Sequence, residues 1–145
     1  MDLDDFFGNL YQLHCVEGID RYCRHMEYGP NKRDRILDSE QYVYIRESCC
    51  GADYHLIEQV GLMRYQNSYK ARPNYRELSL SNGWCRSSLQ ITGNKIIHIQ
   101  NGRRQIETVR EFFYDRLKIT ITVDKSVVLI KNYIRIEPNF NVRLN

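Results

Sequence analysis

The chain has no apolar run long enough to cross a membrane. The longest, such as Ser126-Val127-Val128-Leu129-Ile130, falls far short of the roughly 20 residues that a span needs. The start, Met1-Asp2-Leu3-Asp4-Asp5, is acidic and unlike a secretory leader, so a cytoplasmic protein is expected. There is no CxxC pair, and the five cysteines (Cys15, Cys23, Cys49, Cys50, Cys85) are odd in number with no repeating spacing. That argues against a disulfide framework, a zinc site or a redox motif, and for free thiols in a reducing compartment. Cys49 and Cys50 are adjacent but have no third or fourth ligand nearby in sequence, so no metal and no other cofactor is expected. A net charge of +3 is too small to argue for nucleic acid, because basic and acidic residues alternate along most of the chain. Repeats at solenoid periods and low-complexity tracts are also missing.

What remains is a chain of 145 residues with 42% hydrophobic and 27% charged residues interspersed, which suits one globular domain over 1–145. Phe6-Phe7-Gly8-Asn9-Leu10-Tyr11-Gln12-Leu13 reads as a first strand. Ile19, Tyr22, Cys23 and Met26 then recur at helical spacing, Gly29-Pro30 interrupts, and Asn31 can cap a second helix ending near Leu37. The expectation is a helix-turn-helix over about 16–37 by this pattern reading.

Beyond Gln41 the chain reads as strands and turns. Tyr42-Val43-Tyr44-Ile45 and the stretch 54–60 form a hairpin whose loop, around 48–53, is expected to be long. Strands are expected over 75–80, 84–92, 95–100 and 105–113, with turns at Ser81-Asn82-Gly83 and Gly93-Asn94. Asn101-Gly102 is the strongest hairpin signal, since both residues tolerate the positive φ of a type I′ turn. In 117–123 apolar and polar residues alternate, and Asp124-Lys125 turns the chain into a last strand over 127–136. One strand, a helical pair and up to nine further short strands close most simply into an up-and-down barrel, with the helical pair as a lid.

Several strings resemble the intracellular fatty-acid-binding protein family, which includes the cellular retinoid-binding proteins. The opening 6–13 is similar to its N-terminal signature, with Leu10 where the family has Trp, and Gly18-Ile19-Asp20-Arg21-Tyr22 to the start of its first lid helix. Ile97-His98-Ile99-Gln100, Val109-Arg110-Glu111, Asp115-Arg116-Leu117 and Lys131-Asn132-Tyr133 appear in the family's order. The resemblance implies a mostly β protein: a closed, ten-stranded, antiparallel up-and-down barrel with a helix-turn-helix lid between strands 1 and 2. It also implies a long-chain fatty acid or similar hydrophobic carboxylate inside, carried rather than transformed. The family's carboxylate site falls on Arg110, Lys131 and Tyr133, with Lys131 in place of Arg and so without its bidentate fork. His98 and Gln100 add polar contacts, and Met26, Tyr28 and Tyr65 line a portal. Residues 137–145 extend past the family's usual end.

The residues support this site on their own. Parity puts Lys131 and Tyr133 on one face with Val127 and Leu129, and Arg110 on a face with Ile106, Thr108 and Phe112. A buried guanidinium needs an anionic partner or ordered water, and a ligand carboxylate supplies one. The competing reading pairs Arg110 with Glu107 or Glu111 at a rim and points Lys131 at solvent. The basic excess of Arg21, Arg24, Lys32, Arg33 and Arg35 suits transient contact with anionic membranes, or simply a solvated helix face. The histidines (His14, His25, His55, His98) fall into no catalytic motif, so a binding protein rather than an enzyme is expected, as a monomer and without nucleic acid. The alternative is a ligand-free barrel acting as a protein or nucleic-acid interaction module, for which Tyr69-Lys70-Ala71-Arg72 and Tyr75-Arg76 offer alternating aromatic and basic groups.

Overall fold

A computed structural model describes residues 2–18, 42–60, 63–82 and 87–137. The expected lid beyond residue 18, with Met26 and Tyr28, lies outside the described residues, as do 83–86 and the tail from 138 onward. The ten strands are β1 (Leu10–Glu17), β2 (Tyr42–Cys50), β3 (Asp53–Val60), β4 (Met63–Tyr69), β5 (Glu77–Asn82), β6 (Ser87–Thr92), β7 (Lys95–Asn101), β8 (Gln105–Phe112), β9 (Arg116–Val123) and β10 (Ser126–Ile136). They form one sheet in the order β4-β3-β2-β1-β10-β9-β8-β7-β6-β5, antiparallel throughout.

Sequence neighbours pair, and β1 joins β10, yet β4 and β5 do not pair, so the expected closed barrel is corrected to a curled sheet with one open seam. The connection over 70–76 explains this. It is no tight turn, and its Arg72 is tied to Asp4 of the opening helix at 2.6 Å and to Glu47 of β2 at 3.3 Å. The sheet nevertheless wraps around one interior. A single apolar cluster includes Tyr11, Ile45, Leu56, Ile91, Ile96, Phe112, Leu117 and Tyr133, drawn from eight different strands.

The first residues depart from the expected strand. Leu3–Phe6 is a short 3-10 helix, Asp2 and Asp5 cap it reciprocally, and Gly8 takes a φ of +88° before β1 begins. Aspartates near a chain turn favour caps over strand pairing, which is why the strand starts four residues late. The helix plugs one end of the sheet: Leu3 and Phe6 are fully buried, and Phe6 stacks on Phe112 with centroids 5.9 Å apart. At its far end β1 runs through Glu17, two residues into the stretch expected to be helical.

Turn chemistry is redistributed relative to the sequence reading. The expected long loop around 48–53 is a two-residue turn, because Cys50 pairs with Asp53 and Gly51 takes a φ of +65°. Neither Asn101 nor Gly102 has positive φ, and a wider connection over 102–104 joins β7 to β8. The type I′ geometry appears instead at Asp124 and Lys125, whose φ values are 48° and 69°. A bulge follows at Val128, between the pairs Val127 with Thr122 and Leu129 with Ile121. That extra residue corrects the parity of β10: Val127 is exposed while Val128, Leu129, Lys131 and Tyr133 are buried.

Candidate functional site

Register fixes which side chains share the interior. Ile119 on β9 pairs with Arg110 on one side and Lys131 on the other, so the two cations stand in one row, two strands apart. At the usual strand spacing their backbones lie about 10 Å from each other. The next row toward the plugged end holds Phe112, Leu117 and Tyr133, all buried. The row on the opposite side holds His98, Thr108 and Ile121. Beyond it, a second apolar cluster of Val123, Val128 and Leu129 packs with Val16 and Ile121. The polar row is thus flanked by apolar clusters, an arrangement that raises the cost of any charge left unmet.

Arg110 is 6% exposed and meets a carboxylate that the sequence reading did not choose: Glu58 on β3, 2% exposed. Arg110 Nε lies 3.0 Å from Glu58 Oε2 across the interior. The rim pairing with Glu107 or Glu111 is not what forms, and Glu111 instead meets Lys95 at 3.4 Å. The Arg110 contact is close but out of line, so Arg110 Nε, Arg110 Nη1 and Glu58 Oε2 make no hydrogen bond among the described residues. Tyr65, which pairs with Glu58 across β3 and β4, places its half-exposed ring 5.7 Å from the guanidinium carbon, within cation–π range. The residue expected at a portal therefore covers the buried cation.

The groups around the pair are held neutral. Burial lowers the pKa of His98, the nearby Arg110 charge lowers it further, and Glu58 opposes both. Burial raises the pKa of the Tyr133 phenol, against the pull of Arg110. Tyr69, on the same face of β4 as Tyr65, is pushed up to about 12 by burial and by the Glu58 charge, and its hydroxyl makes no hydrogen bond among the described residues. Lys131 is 5% exposed and so points inward rather than to solvent.

Arg110, Lys131, Tyr133 and His98 are thus brought to one region of the interior, and Tyr65 joins them. Gln100 is not: it is exposed, and it pairs with Ile106, which is itself partly exposed where the inward face runs out near the end of β7. Glu58 and Tyr69 were missed. The signal for Glu58 was its parity with Leu56 and Val60, a carboxylate on an otherwise apolar face. β3 hides this signal because Ile57 and Gln59 are buried as well, so both of its faces are covered over 56–60.

No protein-family model and no curated protein matches the chain. Solved structures do. The fatty-acid-binding protein 1 of Echinococcus granulosus aligns with a TM-score of 0.53 at 17% identity, over 91% of this chain and 98% of its own. The fatty acid binding protein of Schistosoma mansoni, in complex with arachidonic acid, aligns at 0.53 and 15% identity, over 94% of this chain and 100% of its own. A REP1-NXSQ fatty acid transporter aligns at 0.52 and 19% identity, over 93% and 98%. At these identities the likeness is one of fold, and it leads to the same family that the sequence strings resemble. The chain has the fold of the fatty-acid-binding proteins.

Proposed function

We propose that this protein binds and carries a long-chain fatty acid or a related hydrophobic acid inside the curled sheet, in the cytoplasm, as a monomer and without transforming it. The observation that carries the reading is the buried guanidinium of Arg110, which has two nitrogens without a hydrogen-bond partner among the described residues. A buried donor left unmet is costly, and an oxygen-bearing head group entering the interior relieves that cost. Lys131 adds a positive charge in the same row, Tyr133 and His98 offer neutral hydrogen-bonding groups, and the apolar clusters on either side suit a hydrocarbon tail. The fold supports the reading, since the Schistosoma mansoni protein of this fold holds arachidonic acid and another is a fatty acid transporter. The basic residues between Arg21 and Arg35 support transient contact with anionic membranes on sequence grounds.

The test is extraction of the purified protein followed by mass spectrometry, with displacement of an anionic fluorescent fatty acid from wild type and Arg110→Gln. The expected result is co-purified or competing lipid, with affinity lowered about tenfold to a hundredfold by the substitution, as for loss of a hydrogen bond to a charged group. A protein that carries no lipid and releases no probe to any acid would overturn the reading and favour a ligand-free interaction barrel.

A further inference from the structure

A plain carboxylate site would present donors alone, but this interior does not. Arg110 offers Nε and Nη1 as unmet donors, while Glu58 Oε2, 3.0 Å from that Nε, is an unmet acceptor. All three atoms are buried, and the two charged groups they belong to are in contact. An ionised carboxylate only accepts hydrogen bonds, so it would meet Arg110, leave Glu58 Oε2 unmet and bring a second negative charge beside it. A primary amide or a hydroxyl accepts from Arg110 and donates to Glu58, and it adds no charge to a pair that already balances. Tyr69, Tyr133 and His98 are all held neutral around the pair, and the other buried cation, Lys131, stands two strands away from Arg110.

We infer that Glu58 is the specificity-determining residue of the interior and that it turns the Arg110 site toward lipids whose head group is neutral and both donates and accepts, a fatty amide or fatty alcohol, ahead of the ionised acid. The inference rests on the carrier reading above and shifts its preferred ligand from the acid to a neutral lipid with the same kind of tail.

Competition titrations of oleamide and oleate against a neutral fluorescent lipid, on the full chain and on Glu58→Gln, test it. Wild type is expected to bind oleamide at least about tenfold tighter than oleate, the scale of one hydrogen bond to a charged group. Glu58→Gln leaves Arg110 without its counter-ion and is expected to reverse that order. Should Glu58→Gln fail to fold, the double variant Glu58→Gln/Arg110→Gln is expected to lose the preference for oleamide, since no carboxylate remains to accept from its amide. Tighter binding of oleate by wild type, or a ratio unchanged by the substitutions, overturns the role of Glu58 while leaving the carrier reading in place. Displacement by neither lipid overturns both.

Discussion

Arg110 and Glu58 are each other's counter-charge in a place where neither is solvated, so their worth to stability shows only when one is removed. Arg110→Met should cost about 3–5 kcal/mol in urea unfolding, because it strands a buried carboxylate. Combining it with Glu58→Leu should recover most of that loss, a non-additivity that a double-mutant cycle reads directly. Lys125 stores a smaller strain of another kind. Its φ of 69° is one that residues with a Cβ adopt at a cost, so Lys125→Gly should stabilise the protein by about 1 kcal/mol on the same assay. Gly18 is the converse case: its φ is +117°, and a Cβ there would stand 2.5 Å from the carbonyl oxygen of Val128. Gly18→Ala should destabilise by more than about 2 kcal/mol, since both the backbone angle and the bulge of β10 resist it. At this scale local strings and parity placed Arg110 and Tyr133 on inward faces, but not Glu58, because Ile57 and Gln59 beside it are buried as well and the alternation of β3 is lost.

The elements show why boundaries were harder to read than strand identity. β9 was legible residue by residue, as Leu117, Ile119 and Val123 alternate with Lys118 and other outward groups. β4 was not, because Met63-Arg64-Tyr65-Gln66-Asn67-Ser68-Tyr69 has no β-branched residue, and the strand forms by pairing with β3 rather than by its own propensity. Turn residues misled for a related reason: Asn101-Gly102 has the composition of a type I′ turn, but the register of β7 with β8 spans a wider connection and leaves that geometry to Asp124-Lys125. The opening segment has aromatic strand composition, yet its aspartates and Gly8 turn it into a plug. Because Phe6 is buried against Phe112, Phe6→Ala should cost about 3–5 kcal/mol of stability, the range for removing a buried aromatic ring.

For the whole molecule, the interior couples stability to pH. His98 has its pKa lowered in the folded state from an ordinary value of 6.5, so the unfolded chain binds its proton more readily. The stability that this difference contributes is fully present above pH 6.5 and is lost as pH falls through the lower, folded-state value. Thermal unfolding followed from pH 8 downward should therefore show a decline beginning below about 6.5, and His98→Asn should make that decline shallower. The overall order of strands was legible because each neighbour in space is a neighbour in sequence, apart from the join of β1 to β10. The failure to close was not, since nothing in the composition of 70–76 announces that the strands it joins do not pair.

That unpaired boundary sets how the girth of the molecule is determined. In a fully hydrogen-bonded cylinder the circumference is fixed by strand number and stagger, and widening it means breaking a ladder. Here β4 and β5 can move apart or together without breaking a single backbone bond between them. Under the proposed function the perimeter is an adjustable quantity, able to follow the thickness and length of the tail it would enclose. Under the proposed function, discrimination among lipids then belongs to the head-group end, where Arg110 and Glu58 meet across the interior, while the tail is accommodated by a wall of variable width.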